Sequence, residues 1–126
     1  MHQQVSDSEL TLMKILWSAG GRTTYAAVME ALAEAGNTWQ KNTVITLLSR
    51  LVDKGMLKTG KIGRRNEYIA LVSEADYQSA QARTLVSKLY AGSAKGLVAT
   101  LIQGEMLSEE DYRELKRFWE SGGGEK

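Results

Sequence analysis

One segment, residues 38–55, constrains the fold of this chain most strongly because it carries two different faces at helical spacing. Its apolar residues recur at i, i+3, i+4 and i+7, as in an amphipathic helix: Val44, Leu47, Leu48 and Leu51. A second face carries short polar side chains and a guanidinium: Asn42, Thr43, Thr46, Ser49 and Arg50. Gly55 is placed to end the helix. We therefore predict a helix over residues 41–54 with one buried face and one polar face.

The polar face has the chemistry expected of a helix in a DNA major groove. An Asn amide can form two hydrogen bonds with adenine, an Arg guanidinium can do so with guanine, and a Thr methyl can contact a thymine methyl. We expect Asn42, Thr43 and Thr46 to face bases, and Arg50 to contact a base or a phosphate at the groove edge. Lys41 completes the candidate DNA-binding residues of this helix.

A basic hairpin is predicted directly after this helix. Residues 56–62 and 67–71 have the composition of two strands, and residues 63–66 have that of a turn. Its cations are expected to contact phosphates: Lys58, Lys61, Arg64 and Arg65. Residues 41–65 contain seven Lys or Arg and one Asp, a net charge of +6, whereas the whole chain carries +1. Helix, hairpin and charge together favour a DNA-binding winged helix over a solvated helix followed by an ordinary hairpin.

Two further helices are predicted before this pair of elements. Ser6 and Glu9 have the spacing of a capping box, and Thr24 is placed to cap a second helix. The order helix, helix, helix, hairpin gives the predicted fold class, which is mainly α with a small β-hairpin. It is a winged helix-turn-helix over residues 1–72, in which Trp39 is expected to pack on the domain rather than approach the DNA backbone.

The C-terminal part is predicted to form three amphipathic helices, with Ser73, Ser93 and Ser108 as N-caps. Residues 73–126 hold seven basic and nine acidic side chains, so this part is a poor DNA ligand. We expect residues 73–120 to be a helical dimerisation region and residues 121–126 a flexible tail. The alternative is that these helices fold back on their own DNA-binding domain.

Composition argues against catalysis and against a metal site. The chain has no cysteine and a single histidine, His2, so neither a Ser-His-Asp triad nor a site with several His or Cys ligands can be built. The acids of residues 109–114 fit the first turn of a helix better than a metal cluster. We expect a cytoplasmic protein that is not an enzyme, with no catalytic residue, metal or cofactor. We expect neither a signal peptide nor a membrane-inserting segment.

From about Val5 to Trp119 the chain resembles the penicillinase-repressor family of bacterial transcription factors (BlaI/MecI/CopY type). The resemblance rests on these stretches: Ser6–Leu10, Met13–Trp17, Trp39, Thr43–Gly55, Gly63-Arg64, Tyr68, Leu71–Glu74 and Leu97–Ala99. It implies a homodimeric repressor that binds a pseudo-palindromic double-stranded operator of a resistance or stress operon.

The chain departs from the family pattern at several positions. It has Lys41-Asn42 where the family commonly has Pro-Lys, and Ile45 where the family commonly has Lys or Arg. Because a cation is lost at Ile45, the resemblance does not define the operator sequence. The absence of cysteine argues against the metal sensing of the copper-responsive branch. The β-lactam-responsive branch is cleaved by a partner protease, and the matching bond here is at about Thr100-Leu101. Cleavage there would make a membrane sensor-protease a partner.

Two other functions stay open from the sequence. A winged-helix module can bind protein instead of DNA, and a ligand-gated regulator can hold a small molecule between its helices. The basic residues of the hairpin argue against the protein-binding module.

Overall fold

The computed structural model describes residues 4–122, and these residues form helices and one small sheet. The elements in chain order are α1 (Asp7–Ser18), β1 (Arg22–Thr24), α2 (Tyr25–Glu34), α3 (Lys41–Asp53), β2 (Leu57–Ile62), β3 (Arg65–Ala70), α4 (Glu74–Tyr90), α5 (Ala94–Gln103) and α6 (Glu109–Glu120). The predicted mainly helical fold with a winged helix-turn-helix is confirmed. His2 and most of the predicted tail lie outside the described residues. Within residues 4–122, every helix is too short or too polar to cross a bilayer.

The sheet has three strands, one more than the sequence predicted. All pairs are antiparallel, in the order β1-β3-β2. The segment β1 is only three residues long, and too short for an alternating pattern to be recognised. It pairs Arg22 with Ile69 and Thr24 with Glu67, which places β3 in the centre of the sheet.

The turn of the hairpin is tighter than the predicted turn over residues 63–66. Ile62 pairs with Arg65, so only Gly63 and Arg64 form the loop, and Arg65 and Asn66 belong to β3. Gly63 has φ +62°, a backbone conformation that glycine adopts at the first position of two-residue hairpin loops. The local composition of residues 63–66 indicated a turn but could not fix the register, which depends on the pairing of β2 with β3.

The chain divides into two compact units, with the boundary between Gln81 and Ala82. The core of the first unit includes the predicted stripe of α3, and all four of its residues are buried. It is completed by apolar residues of α1, α2, β2, the residue before β2 and the start of α4: Leu12, Met13, Leu16, Val28, Leu32, Met56, Leu57 and Tyr77. The first turns of α4 therefore pack with the winged helix, past the expected domain boundary at residue 72.

The expected N-caps are present where the structure describes them. Ser6 and Glu9 form a complete capping box, and so do Ser108 and Asp111. The Oγ atoms of Ser73 and Ser93 accept hydrogen bonds from the backbone N–H groups of Asp76 and Gly96, at 3.0 Å each. Capping signals therefore fixed the starts of α1, α4, α5 and α6 well.

Candidate nucleic-acid interface

The polar face of α3 lies opposite the stripe that holds the helix in the core. The five candidate residues of this helix are exposed: Lys41, Asn42, Thr43, Thr46 and Arg50. None of these side chains forms a hydrogen bond or an ion pair with another residue of the described chain. Gln40, the N-cap, makes no side-chain bond to the first turn either. The helix therefore presents free donors and acceptors on a rigidly packed element.

The cations of the hairpin are exposed as well, but they do not form a single row. Side chains alternate along a strand, and directly paired residues share a face. Lys58 and Ile62 therefore lie on the same face as Arg65, which pairs with Ile62, whereas Lys61 lies on the other face with Asn66. The hairpin, here called the wing (residues 57–70), has positive charge on both faces.

One cation of the basic segment is already neutralised within the fold. Lys54 Nζ lies 2.6 Å from Oε1 of Glu9 and donates a second hydrogen bond to the Gln4 carbonyl at 3.0 Å. Glu9 is only 2% exposed, so this pair fastens the start of α1 to the end of α3. Burial by itself would raise the pKa of Glu9, but hydrogen bonds from Lys54 and the Ser6 backbone outweigh it and hold that pKa below its ordinary value. Lys54 therefore stabilises the fold, although the charge count included it with the DNA-facing cations.

A second buried carboxylate supports the base of the wing. Glu67 on β3 is 1% exposed and accepts hydrogen bonds from Nε and Nη2 of Arg22 on β1. This carboxylate raises the pKa of the Arg22 guanidinium. Gly60 is the strand partner of Glu67, and a Cβ at Gly60 would lie 3.4 Å from Glu67 Oε2 and 3.3 Å from Ile69 Cδ1. Sequence reasoning missed this pair, for which the only local signal was an acid within an otherwise basic hairpin.

Trp39 packs on the domain, as expected. It is partly buried against the hydrophobic core, and its backbone N–H donates to Oδ1 of Asn37 at 2.8 Å. Both contacts fix the short connection that leads into α3.

The second unit exposes most of its apolar side chains. Helices α5 and α6 contain no fully buried residue, and Trp119 is 83% exposed. A groove of about 700 Å³ lies between them, and its apolar lining residues are Val98, Ile102, Leu107, Tyr112, Leu115 and Trp119. The acids at the start of α6 have local partners, because Asp111 belongs to the capping box and Arg113 lies 3.6 Å from Glu109 and 4.0 Å from Glu110.

The candidate cleavage position lies within a helix. Thr100 and Leu101 both belong to α5, and the Thr100 hydroxyl donates to the Gly96 carbonyl at 3.1 Å. A protease that needs an extended substrate would have to unwind this part of α5 first.

Comparison with known proteins identifies the family of this chain. Residues 5–121 match the model of the penicillinase repressor family. The chain belongs to that family. The penicillinase repressor of Bacillus licheniformis is 31% identical over 117 residues, which cover 93% of this chain and 90% of that protein. The methicillin resistance regulatory protein MecI of Staphylococcus aureus (strain N315) is 28% identical over 117 residues, covering 91% and 92%.

Two solved structures are similar to part of this penicillinase repressor family member. The DNA-binding domain of the repressor BlaI is 35% identical, with a TM-score of 0.52, covering 61% of this chain and 94% of that one. The monomeric form of Bacillus licheniformis BlaI in complex with the blaP half-operator is also 35% identical. Its TM-score is 0.53, and the match covers 61% of this chain and 92% of that one.

Proposed function

We propose that this member of the penicillinase repressor family is a transcriptional repressor that binds a dyad operator as a homodimer. The observation that carries the proposal is the set of nine exposed side chains on α3 and the wing, none of which has a partner within the described chain. Such a surface supplies base contacts from the helix and phosphate contacts from the wing. The similarity to a BlaI structure in complex with a half-operator supports the same assignment.

The direct contacts are divided between the two elements. Asn42, Thr43 and Thr46 contact base edges in the major groove, while Arg50 and Lys41 lie at its margins. The four cations of the wing contact the phosphate backbone, which positions the helix but carries little sequence information. The regulated operon belongs to a resistance or stress response.

The homodimer is proposed because of the exposed groove of the second unit. Soluble monomers rarely leave a large contiguous apolar patch in water, and such patches mark interaction sites. A second copy of the same chain offers an equally apolar surface, and a two-fold dimer binds two half-sites with one linked molecule. Cutting the chain near Thr100-Leu101, by a membrane sensor-protease, would remove α6 and much of this surface, and so release the operator.

In the test, the full chain first selects its preferred site from random DNA sequences. Affinities are then measured on the selected site. Replacing a residue that contacts bases should cost about 1–3 kcal/mol and relax specificity at one position. We expect this result for Asn42→Ala and Thr43→Ala. Gln78→Ala, an exposed polar change on α4, is the matched control and should leave affinity unchanged. If both α3 variants bind as tightly as the parent chain, α3 is not the recognition helix.

A ligand-gated regulator is the second candidate, and the groove between α5 and α6 is the feature that favours it. Its volume suits a small apolar molecule. A compound that raises the melting temperature of the full chain and weakens operator binding would support this alternative. A DNA affinity that does not depend on salt would instead favour a protein-binding module.

A further inference from the structure

Three large hydrophobic side chains are strongly exposed in the described part of the first unit. They are Ile45, Ile62 and Leu71, with exposures of 40%, 54% and 51%. Two of them lie on the elements proposed to contact DNA, since Ile45 is on α3 and Ile62 is next to the loop of the wing. Leu71 lies outside both elements and provides an internal comparison.

Ile45 lies within the polar face of α3. Asn42, Ile45 and Ser49 follow the i, i+3, i+7 spacing and therefore form one stripe along the helix. All three are exposed, and this stripe lies away from the buried residues of α3. The apolar side chain of Ile45 is thus one helical turn from the amide of Asn42.

We infer that Ile45 is a specificity-determining residue that packs against the 5-methyl group of a thymine in the operator. This inference rests on the proposed function. The thymine methyl is the one apolar group that a base pair presents in the major groove, so it is the natural partner of an aliphatic side chain there. Asn42 suits adenine, so the thymine belongs to the base pair that Asn42 contacts or to its neighbour.

The side chain is well suited to such a contact. A β-branched residue in a helix has one strongly preferred χ1 rotamer, so Ile45 loses little freedom when it meets the base. Burying one methyl-sized group contributes about 0.8 kcal/mol, which corresponds to about a fourfold change in affinity per half-site. The effect is small for binding as a whole but is confined to one base position.

The test replaces thymines by deoxyuridine at one position at a time, in both half-sites of the selected operator together. Deoxyuridine pairs identically with adenine but lacks the methyl group. At one such position, the parent chain should lose about fourfold in affinity per half-site. On the unmodified operator, Ile45→Ala should bind about as weakly as the parent chain binds the deoxyuridine operator. On the deoxyuridine operator, Ile45→Ala should lose little further affinity. Such non-additivity, measured as a double-mutant cycle, identifies a direct contact.

Controls separate this inference from the proposed function. Leu71→Ala removes a comparably exposed aliphatic group outside α3 and the wing, and it should retain the full response to deoxyuridine. Thermal unfolding should show that Ile45→Ala remains folded, since Ala is a good helix former. If the parent chain selects an operator but no deoxyuridine position depends on Ile45, the inference is wrong and the proposed function stands. If the folded chain selects no DNA sequence, both fail.

Discussion

Two buried carboxylates show how single residues set the geometry of the proposed DNA-binding surface. Glu9 holds Lys54 at the end of α3, and Glu67 holds Arg22 beside the central strand of the sheet. A carboxylate that is almost wholly excluded from water is stable in its charged form only with such partners. Each pair therefore fixes one of the two elements proposed to contact DNA to the rest of the first unit.

The Glu9 pair should make the stability of the protein depend on pH. The pKa of Glu9 in the folded state is below its ordinary value of 4.5, so its stabilising effect is fully present above about that pH. The effect is lost as the pH falls through the lower, folded-state pKa. We expect the free energy of unfolding, measured by urea denaturation, to decrease between pH 6 and pH 3.

A matched pair of variants isolates this contribution. Glu9→Gln should destabilise the chain by about 2–4 kcal/mol at neutral pH, because it leaves Lys54 without its charged partner. It should also reduce the dependence on acid pH. Glu30→Gln, on the exposed side of α2, should change neither quantity. Equal effects of the two substitutions would contradict the role assigned to Glu9.

At the scale of elements, the strand register decides which cations of the wing act together. Lys58 and Arg65 lie on one face of the hairpin and Lys61 on the other, although all three are close in sequence. If the wing lies along a phosphate backbone by one face, the cations on that face should contribute more to binding than those on the other face. The charge count of residues 41–65 could not distinguish them.

Salt dependence measures these contacts directly. Each phosphate contact that is lost should lower the slope of log affinity against log salt by about 0.9. We expect this change for Lys58→Gln and for Arg65→Gln, with an equal loss of affinity on the selected operator and on random DNA. Lys14→Gln, an exposed cation of α1, is the control for net charge. A loss confined to the selected operator would mean that the wing contacts bases.

At the scale of the whole molecule, the proposed dimer links two DNA-binding surfaces through the second unit. The first unit extends to Gln81, because Tyr77 packs on Trp17 with ring centroids 5.8 Å apart. Trp17 Nε1 also donates to the Val72 carbonyl at 2.8 Å. A fragment that ends at residue 72 would lose Tyr77, whereas residues 1–81 retain these contacts.

The joining of two DNA-binding units in one dimer predicts how a fragment and the full chain differ in operator affinity. Residues 1–81 should fold and sediment as a monomer, but they should bind a full dyad at least tenfold more weakly than the full chain, since they lack the effective concentration of a linked dimer. A fragment that binds the dyad as tightly as the full chain would exclude dimerisation as the basis of affinity.

A point substitution in the full chain tests the same interface without truncation. Leu115→Glu places a charge in the groove between α5 and α6 and should shift the full chain to monomers in sedimentation at micromolar concentration. Ser87→Glu adds the same charge to an exposed site on α4 and should leave the dimer intact. Ser87 is two positions from Leu85 and from Leu89, so it lies on the opposite side of the helix from both. If the parent chain itself is monomeric at that concentration, operator binding by a homodimer is ruled out.

The sequence by itself determined the elements that arise from local spacing. The stripe of α3, its polar face and the Ser caps of α1, α4, α5 and α6 depend on residues at most seven positions apart, and hydrogen bonds within a helix have the same short range. The order of these elements along the chain followed from the same local patterns. Eight of the nine candidate side chains lie on the helix, strand or turn in which the sequence placed them, whereas Arg65 lies in β3 and not in the turn. Their contact with DNA stays a prediction.

Only the tertiary structure decided the contacts that join distant parts of the chain. The pairs Lys54–Glu9 and Arg22–Glu67 each connect residues 45 positions apart, and no local pattern predicts them. The third strand, the two-residue turn of the wing and the packing of Tyr77 at the start of α4 likewise depend on which segments meet in space. A short strand or a single charged residue has little preference of its own, so its place is set by the partner that satisfies its hydrogen bonds or excludes water from it.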